Sequence, residues 1–406
     1  MRILQVGPVT PAWGGRETGG IATVLTGLAA HLAERGHDVA VLADSSAYTA
    51  SAWPALHEGV AVYGVEGFSG VRRAAEWCRP ALWRDAAAAR AALDGLGSWR
   101  WTAGKVAAYR QVIRAFRPDI VHVHTLETRY AFAHVVIGGR APLVSTVHST
   151  HYVEFAPPER RVAYEALVRR GLAAAGDVLF VSRFLEDRYS KLFGPLPTTL
   201  RSRVIHNPID VGPDAPPDRS GARTELGLDG FDHVLLFVGN LLPRKDPAAF
   251  IKAVARVADR LPGVVGVVVG EGPEMEAIRT LAIREGVADR IRYDGRKTLP
   301  ELALHYAAAD VLVFPSLMES FGLVALEAML CGTPVVGTPE VLSEVLPEEC
   351  GIRVEPGDPD ALAAAIVTAL ERPWNHQAIR AYALGFSWED RIGQFESVYE
   401  EILASR

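Results

Sequence analysis

The chain has 406 residues, 49% of them hydrophobic and 22% charged, with a formal net charge of −6. That length exceeds one ordinary core and suits two domains of about 200 residues; the composition excludes a disordered chain, and the acidic balance argues against nonspecific nucleic-acid binding. Three scattered cysteines, Cys78, Cys331 and Cys350, make neither a disulfide framework nor a zinc site, and with no signal-like opening and no run of about 20 apolar residues the expectation is a cytoplasmic protein.

In chain order, residues 2–6 predict a strand. Residues 20–35 predict a helix, with Ile21, Val24, Leu25, Leu28 and Leu32 on one face and Gly36 ending it. Val39 to Leu42 is the next strand. The segment from Phe68 to Arg114 stands apart: Trp77, Trp83, Trp99 and Trp101 lie among Arg72, Arg73, Arg79, Arg84, Arg90 and Arg100. It reads either as a peripheral contact with a membrane surface or as a helical insertion over an acceptor pocket. The first 200 residues are net basic and the rest net acidic. A basic half suits an anionic acceptor or membrane surface, and equally a solvated face. Further buried strands are expected at 119–123, 143–147 and 178–181. Residues 210–222, rich in Pro, Gly and Asp, read as a linker.

A second series follows, with strands at 234–238, 264–269, 291–293, 311–314, 334–336 and 352–354. Continuous apolar strands between helices indicate parallel sheets covered on both faces. The fold class is therefore α/β, two Rossmann-like doubly wound domains facing an interdomain cleft. Their expected bounds are 1–206 and 207–386, with a final amphipathic helix over 387–406. Nucleotide-type ligands bind at the C-terminal ends of such strands.

The most informative stretch runs from Ala309 to Val336. A strand ends at Pro315, a loop carries Glu319, and a helix is expected from about Phe321 to Cys331. Its first N–H groups, at Ser320, Phe321, Gly322 and Leu323, suit diphosphate oxygens. Glu327 follows Glu319 by eight residues, roughly 12 Å if the whole span were helical. Two carboxylates so spaced suit the sugar and the ribose of a sugar nucleotide. Asp358-Pro359-Asp360 looks like a metal-binding D-x-D, but Asp360 reads better as a helix N-cap.

The run P-S-x-x-E-S-F-G-L-x-x-L-E-A-M-x-C-G-T-P-V-V around Glu319 and Glu327 resembles the signature of retaining GT-B glycosyltransferases of family 4, and the resemblance extends over nearly the whole chain. It implies that Gly19 and Gly20 lie at the donor phosphates and that His148, after Thr146-Val147, lies near the anomeric carbon. His122 and His124 read as structural. Gly239-Asn240-Leu241-Leu242-Pro243-Arg244-Lys245 resembles the family's G-R-L-x-P-x-K, with Lys245 on the phosphate-binding lysine. Asn240 replaces the usual arginine and lacks its charge and fork; Arg244 is the neighbour able to compensate. Glu271 and Arg296 fall in loops that surround the nucleotide. Pro208 replaces a hinge glycine, the usual glycine-rich loop before Pro339-Glu340 is shortened, and the last helix is expected to cross back onto the first domain.

The resemblance implies a retaining transfer of a hexosyl or N-acetylhexosaminyl group from a nucleotide-diphosphate sugar, UDP-linked, to a hydroxyl acceptor. It implies no cofactor and no metal. Lys245, Arg244 and the helix N-terminus would carry the leaving diphosphate, Glu319 would orient donor hydroxyls, and His148 would position or polarise the donor. The alternatives are a nucleotide-sugar epimerase, for which no acid/base set stands out, and a non-catalytic sugar-nucleotide binder. A dinucleotide oxidoreductase is disfavoured because the first βα turn lacks a compact G-x-G-x-x-G.

Overall fold

The computed structural model describes residues 1–15, 19–43, 54–64, 99–124, 140–150, 175–198, 200–212, 217–338 and 340–405. The chain divides into two compact units. One is Met1–Pro208 with Trp388–Arg406; the other is Ile209–Ser387.

The first unit carries β1 (Arg2–Gly7), β2 (Asp38–Ala43), β3 (Ala55–His57), β4 (Val60–Gly64), β5 (Ile120–Val123), β6 (Leu143–Val147), β7 (Asp177–Phe180) and β8 (Arg201–Val204). They form one sheet in the order β3-β4-β2-β1-β5-β6-β7-β8. All pairs are parallel except β3 with β4. Parallel strands covered on both faces need no polar alternation, which is why Ile3, Leu4, Val6, Val39 and Val41 are all buried. Strand order reverses between β1 and β5. At such a reversal the crossing helices diverge and leave a crevice outside the strand C-termini.

The second unit carries β9 (His233–Val238), β10 (Val264–Val269), β11 (Ile291–Gly295), β12 (Val311–Phe314), β13 (Val335–Gly337) and β14 (Gly351–Arg353). Their order is β11-β10-β9-β12-β13-β14, and every pair is parallel. The reversal falls between β9 and β12. Helix Pro247–Ala258 buries Phe250, Ile251, Val254 and Val257 on one face, against a core that includes Phe237, Val268, Val313 and Ile366.

Strands expected from the sequence lie within about two residues of those observed, since apolar runs locate strands better than they bound them. Several local expectations are corrected. Residues 210–222 are not wholly linker: a helix runs over Arg219–Leu226, capped by Asp218, which accepts from the Gly221 N–H at 3.0 Å. The Pro and Gly content masked that cap. The cap before helix Pro359–Glu371 is Asp358, not Asp360; its carboxylate accepts from the N–H groups of Asp360 and Ala361. Asp360 instead meets Arg256.

The β3–β4 hairpin had no counterpart in the sequence reading. Its two-residue turn places Glu58 at φ 49° and Gly59 at φ 80°, the left-handed pair that such hairpins require. β8 was also missed, because Arg-Ser-Arg-Val at a sheet edge lacks an apolar signature.

Of the segment 68–114, residues 68–98 lie outside the described residues. Residues Trp99–Phe116 form a helix, and Ala108, Tyr109, Val112 and Phe116 are buried. The apolar face of its described half is thus used by the core. Among the described residues no helix is long and apolar enough to cross a membrane.

Helix Trp388–Ala404 belongs to the first unit. It buries Trp388, Ile392, Phe395, Val398, Tyr399 and Ile402. Trp388 lies 5.0 Å from the His31 ring. Glu396 accepts from the Arg35 Nε at 2.9 Å and contacts His37 Nε2 at 2.9 Å.

Candidate active site

In the second unit, β9 leads into Gly239–Lys245 and β12 leads into Pro315–Gly322. Because β9 and β12 are neighbours at the reversal, their exit loops meet. The Leu317 N–H donates to the Arg244 carbonyl at 2.8 Å, and the Lys245 ammonium donates to the Glu319 carboxylate. Both side chains are largely buried, each 12% exposed. Lys245 Nζ also lies 5.4 Å from the centre of the Phe314 ring.

Burial pulls the Lys245 ammonium down to about 7; the neighbouring Arg244 guanidinium adds to the shift and the Glu327 carboxylate opposes it. The direct Glu319 contact works in the same sense as Glu327, because an adjacent anion favours the charged lysine. Burial likewise lowers Arg244. Among the described residues no carboxylate pairs with Arg244. Two adjacent, poorly hydrated cations at the ends of parallel strands therefore gain from a second anion. Asn240 is exposed; its carbonyl accepts from the Leu242 N–H at 2.8 Å.

The helix after this loop starts later than expected, at Leu323, and runs to Leu330. Gly322 is its N-cap, at φ 98°, a conformation only glycine adopts without strain. Ser320 and Phe321 thus precede the helix, and Phe321 is buried, with its ring 6.3 Å from that of Phe386. Ala325 N–H is taken by the Gly322 carbonyl at 3.0 Å. The first-turn N–H groups that suit an anion are therefore those of Leu323 and Val324, not four groups from Ser320 onward. The interval from Glu319 to Glu327 is only partly helical, so the 12 Å estimate does not apply.

Glu327 Oε2 accepts from the Tyr306 hydroxyl at 2.7 Å. Burial pushes the Glu327 carboxyl up; the Tyr306 hydrogen bond lowers it, Asp210 raises it and Lys245 lowers it. Tyr306 sits on helix Leu299–Ala308, and its carbonyl accepts from the Thr333 hydroxyl at 2.6 Å. Sequence reading missed Tyr306, since nothing local links it to a glutamate 21 positions away. Glu271 and Arg296 meet at 3.8 Å with both side chains well exposed.

In the first unit, Gly19 caps helix Gly20–Glu34 without a side-chain hydrogen bond, and both glycines are exposed. Among the described residues no side chain caps this helix N-terminus. His148 follows β6 and is buried. His122 and His124, read from sequence as structural, are joined to it in one network. His148 Nε2 meets His124 Nδ1 at 3.1 Å, His124 Nε2 meets Gln5 Oε1 at 2.6 Å, and Gln5 Nε2 donates to the Tyr399 hydroxyl at 3.3 Å. That hydroxyl meets His122 Nδ1 at 2.6 Å, and His122 Nε2 meets Thr146 Oγ1 at 2.6 Å. Burial pulls His122 and His148 down to about 3 and His124 well below its usual value. All three imidazoles are neutral at physiological pH.

Two doubly wound parallel sheets, each with polar groups gathered outside its reversal point, make up the GT-B glycosyltransferase architecture. Sucrose-phosphate synthase from Thermosynechococcus elongatus aligns over 100% of both chains with a TM-score of 0.78 at 21% identity. HepE from Anabaena, solved in complex with UDP, aligns over 100% of both chains with a TM-score of 0.69 at 22% identity. At such identities the likeness is one of fold.

Residues 18–212 match the family described as Glycosyltransferase Family 4, and residues 232–372 match Glycosyl transferases group 1. D-inositol 3-phosphate glycosyltransferase 1 of Catenulispora acidiphila is 33% identical over 70% of this chain and 72% of its own length. The D-inositol 3-phosphate glycosyltransferase of Acidothermus cellulolyticus is 35% identical over 65% of this chain and 63% of its own length. The chain belongs to the group 1, family 4 glycosyltransferases and is a transferase enzyme.

Proposed function

We propose that this enzyme transfers a hexosyl or N-acetylhexosaminyl group from a UDP-linked sugar to a hydroxyl of a phosphorylated polyol, with retention of anomeric configuration and without a metal. The observation that carries this reading is the buried Lys245–Glu319 contact beside an Arg244 that no described carboxylate neutralises. Glycosyl departure leaves charge on a diphosphate. Lys245, Arg244 and the Leu323 and Val324 N–H groups are donors suited to stabilise it. Gly19 and Gly20 offer a second helix N-terminus for phosphate. Glu319 orients sugar hydroxyls, Glu327 takes the ribose, and His148 positions the donor. The polyol phosphate is supported by the relatives' names and by the basic first half of the chain.

The test is product analysis. With an α-linked UDP-hexose and inositol phosphate, the anomeric proton coupling should report an α-linked product. A β-linked product would overturn retention. Of the two acidic groups that come into question as an inverting base, Asp119 is tied to the Arg2 N–H at 2.7 Å at the start of β5, away from the strand end where chemistry occurs. Glu127 lies outside the described residues, so a β-linked product together with inactivity of Glu127→Gln would identify an inverting enzyme.

The two glutamates should separate kinetically. Glu327→Ala should raise the donor KM by about 10-fold, the loss of roughly one charged hydrogen bond. Glu319→Ala should lower kcat with a smaller change in KM. Unchanged constants in both variants would sink the assignment. Turnover should also survive EDTA. Activity abolished by chelation and restored by Mg²⁺ or Mn²⁺ would show that the cations of the protein do not suffice.

A further inference from the structure

The role proposed for His148 depends on which of its ring nitrogens carries the proton, and the buried network ties that proton to the orientation of the Gln5 amide. A neutral imidazole has one donor and one acceptor nitrogen. Gln5 Oε1 can only accept, so its 2.6 Å contact requires the proton of His124 to sit on Nε2. His124 Nδ1 is then a bare acceptor, and its 3.1 Å partner, His148 Nε2, must donate. Toward the other end, the Gln5 amide donates to the Tyr399 oxygen. The hydroxyl proton of Tyr399 is thereby directed to His122 Nδ1, and His122 Nε2–H to Thr146. Every bond in the chain then has one donor and one acceptor. Gln5, His122, His124 and Tyr399 are completely buried, so water does not compete for these bonds.

We infer that Gln5, His124 and Tyr399 are positioning residues that hold His148 in its Nε2–H tautomer, so that its Nδ1 meets the donor sugar as a hydrogen-bond acceptor from a hydroxyl. Among the described residues nothing hydrogen-bonds that Nδ1. The inference rests on the proposed placement of His148 at the donor. Turning the Gln5 amide over would reverse every bond and make Nδ1 a donor instead. The orientation of one amide, held by a residue of the last helix, thus sets the polarity of the site. A site that accepts from a hydroxyl discriminates against a fluorine or a deoxy position there, because the acceptor is left unpaired.

The tautomer is read without any donor by long-range ¹H–¹⁵N correlation on the full chain labelled at histidine, with His148→Gln for assignment. One neutral species protonated at Nε2 is expected for His148. A proton on Nδ1, or an even mixture, overturns the inference and leaves the donor site standing. Tyr399→Phe keeps the ring and removes the hydroxyl that orients Gln5, and the His148 signal should become mixed. Gln5→Glu, which can only accept, should keep Nε2–H. An unchanged signal in Tyr399→Phe would show that the network does not act on His148. Among monodeoxyfluoro UDP-hexoses, one position should lose about 10–100-fold in kcat/KM, and that loss should vanish in His148→Ala. If no position is coupled to His148 in this way, the acceptor role fails. If His148→Ala also leaves turnover of the parent donor unchanged, the donor-site reading itself is lost.

Discussion

Lys245→Ala is expected to lower kcat by about 10²–10³-fold, equivalent to roughly 2.7–4 kcal/mol of lost transition-state stabilisation. The ammonium is desolvated, held by Glu319 and backed by the Phe314 ring. A preorganised cation in such a place needs little rearrangement as charge builds on the leaving diphosphate, which is why it should affect turnover more than binding. Arg244→Ala should cost less, since burial desolvates Arg244 less completely than Lys245. If Arg244→Ala proved the worse variant, the guanidinium would have replaced the arginine missing at Asn240. Removing Lys245 also leaves the buried Glu319 without its partner, which destabilises a fold on its own account. The double variant Lys245→Ala/Glu319→Gln separates the effects: it should recover melting temperature but not kcat. A Lys245→Ala enzyme within tenfold of wild type would remove the lysine from the reaction.

Gly270→Val should destabilise the protein by about 4 kcal/mol or more, the range reserved for buried clashes. At this position φ is +140° and a Cβ would fall inside the Gly239 carbonyl oxygen. The two glycines cannot move apart freely. Gly239 N–H donates to Val269 O at 3.0 Å, Gly270 N–H to Gly295 O at 2.8 Å, and Leu241 N–H to Glu271 O at 2.9 Å. The loops leaving β9, β10 and β11 are therefore stitched together by backbone, and the first of them carries Arg244 and Lys245. The melting temperature should fall by about 8–16 °C, read by calorimetry or circular dichroism. A variant that melts like wild type would mean the loops can separate without cost.

By itself, the sequence determined the two series of apolar strands and the class of protein. Buried parallel strands leave an unbroken hydrophobic signature, and the residues from Ser316 to Val336 form a dense local motif around Glu319 and Glu327. Lys245 was legible for the same reason, as part of a short loop pattern. Features with weak local signals were not: the Glu58–Gly59 hairpin, the polar edge strand β8, and the start of the helix at Leu323, where Phe321 looked helical by motif but is buried ahead of the cap. Only the tertiary structure decided what the site residues touch. Lys245 meets Glu319 because β9 and β12 adjoin at a topological reversal, although 74 positions separate them. Tyr306 reaches Glu327 from a neighbouring helix. Gln5 and Tyr399, 394 positions apart, become the two middle links of the chain that ends at His148. Hydrophobic periodicity is a property of neighbours along the chain, whereas a hydrogen bond between buried side chains depends on direction and distance in the folded sheet. That is why His124, which looks structural in the sequence, is the link through which we propose that Gln5 and Tyr399 hold the His148 tautomer.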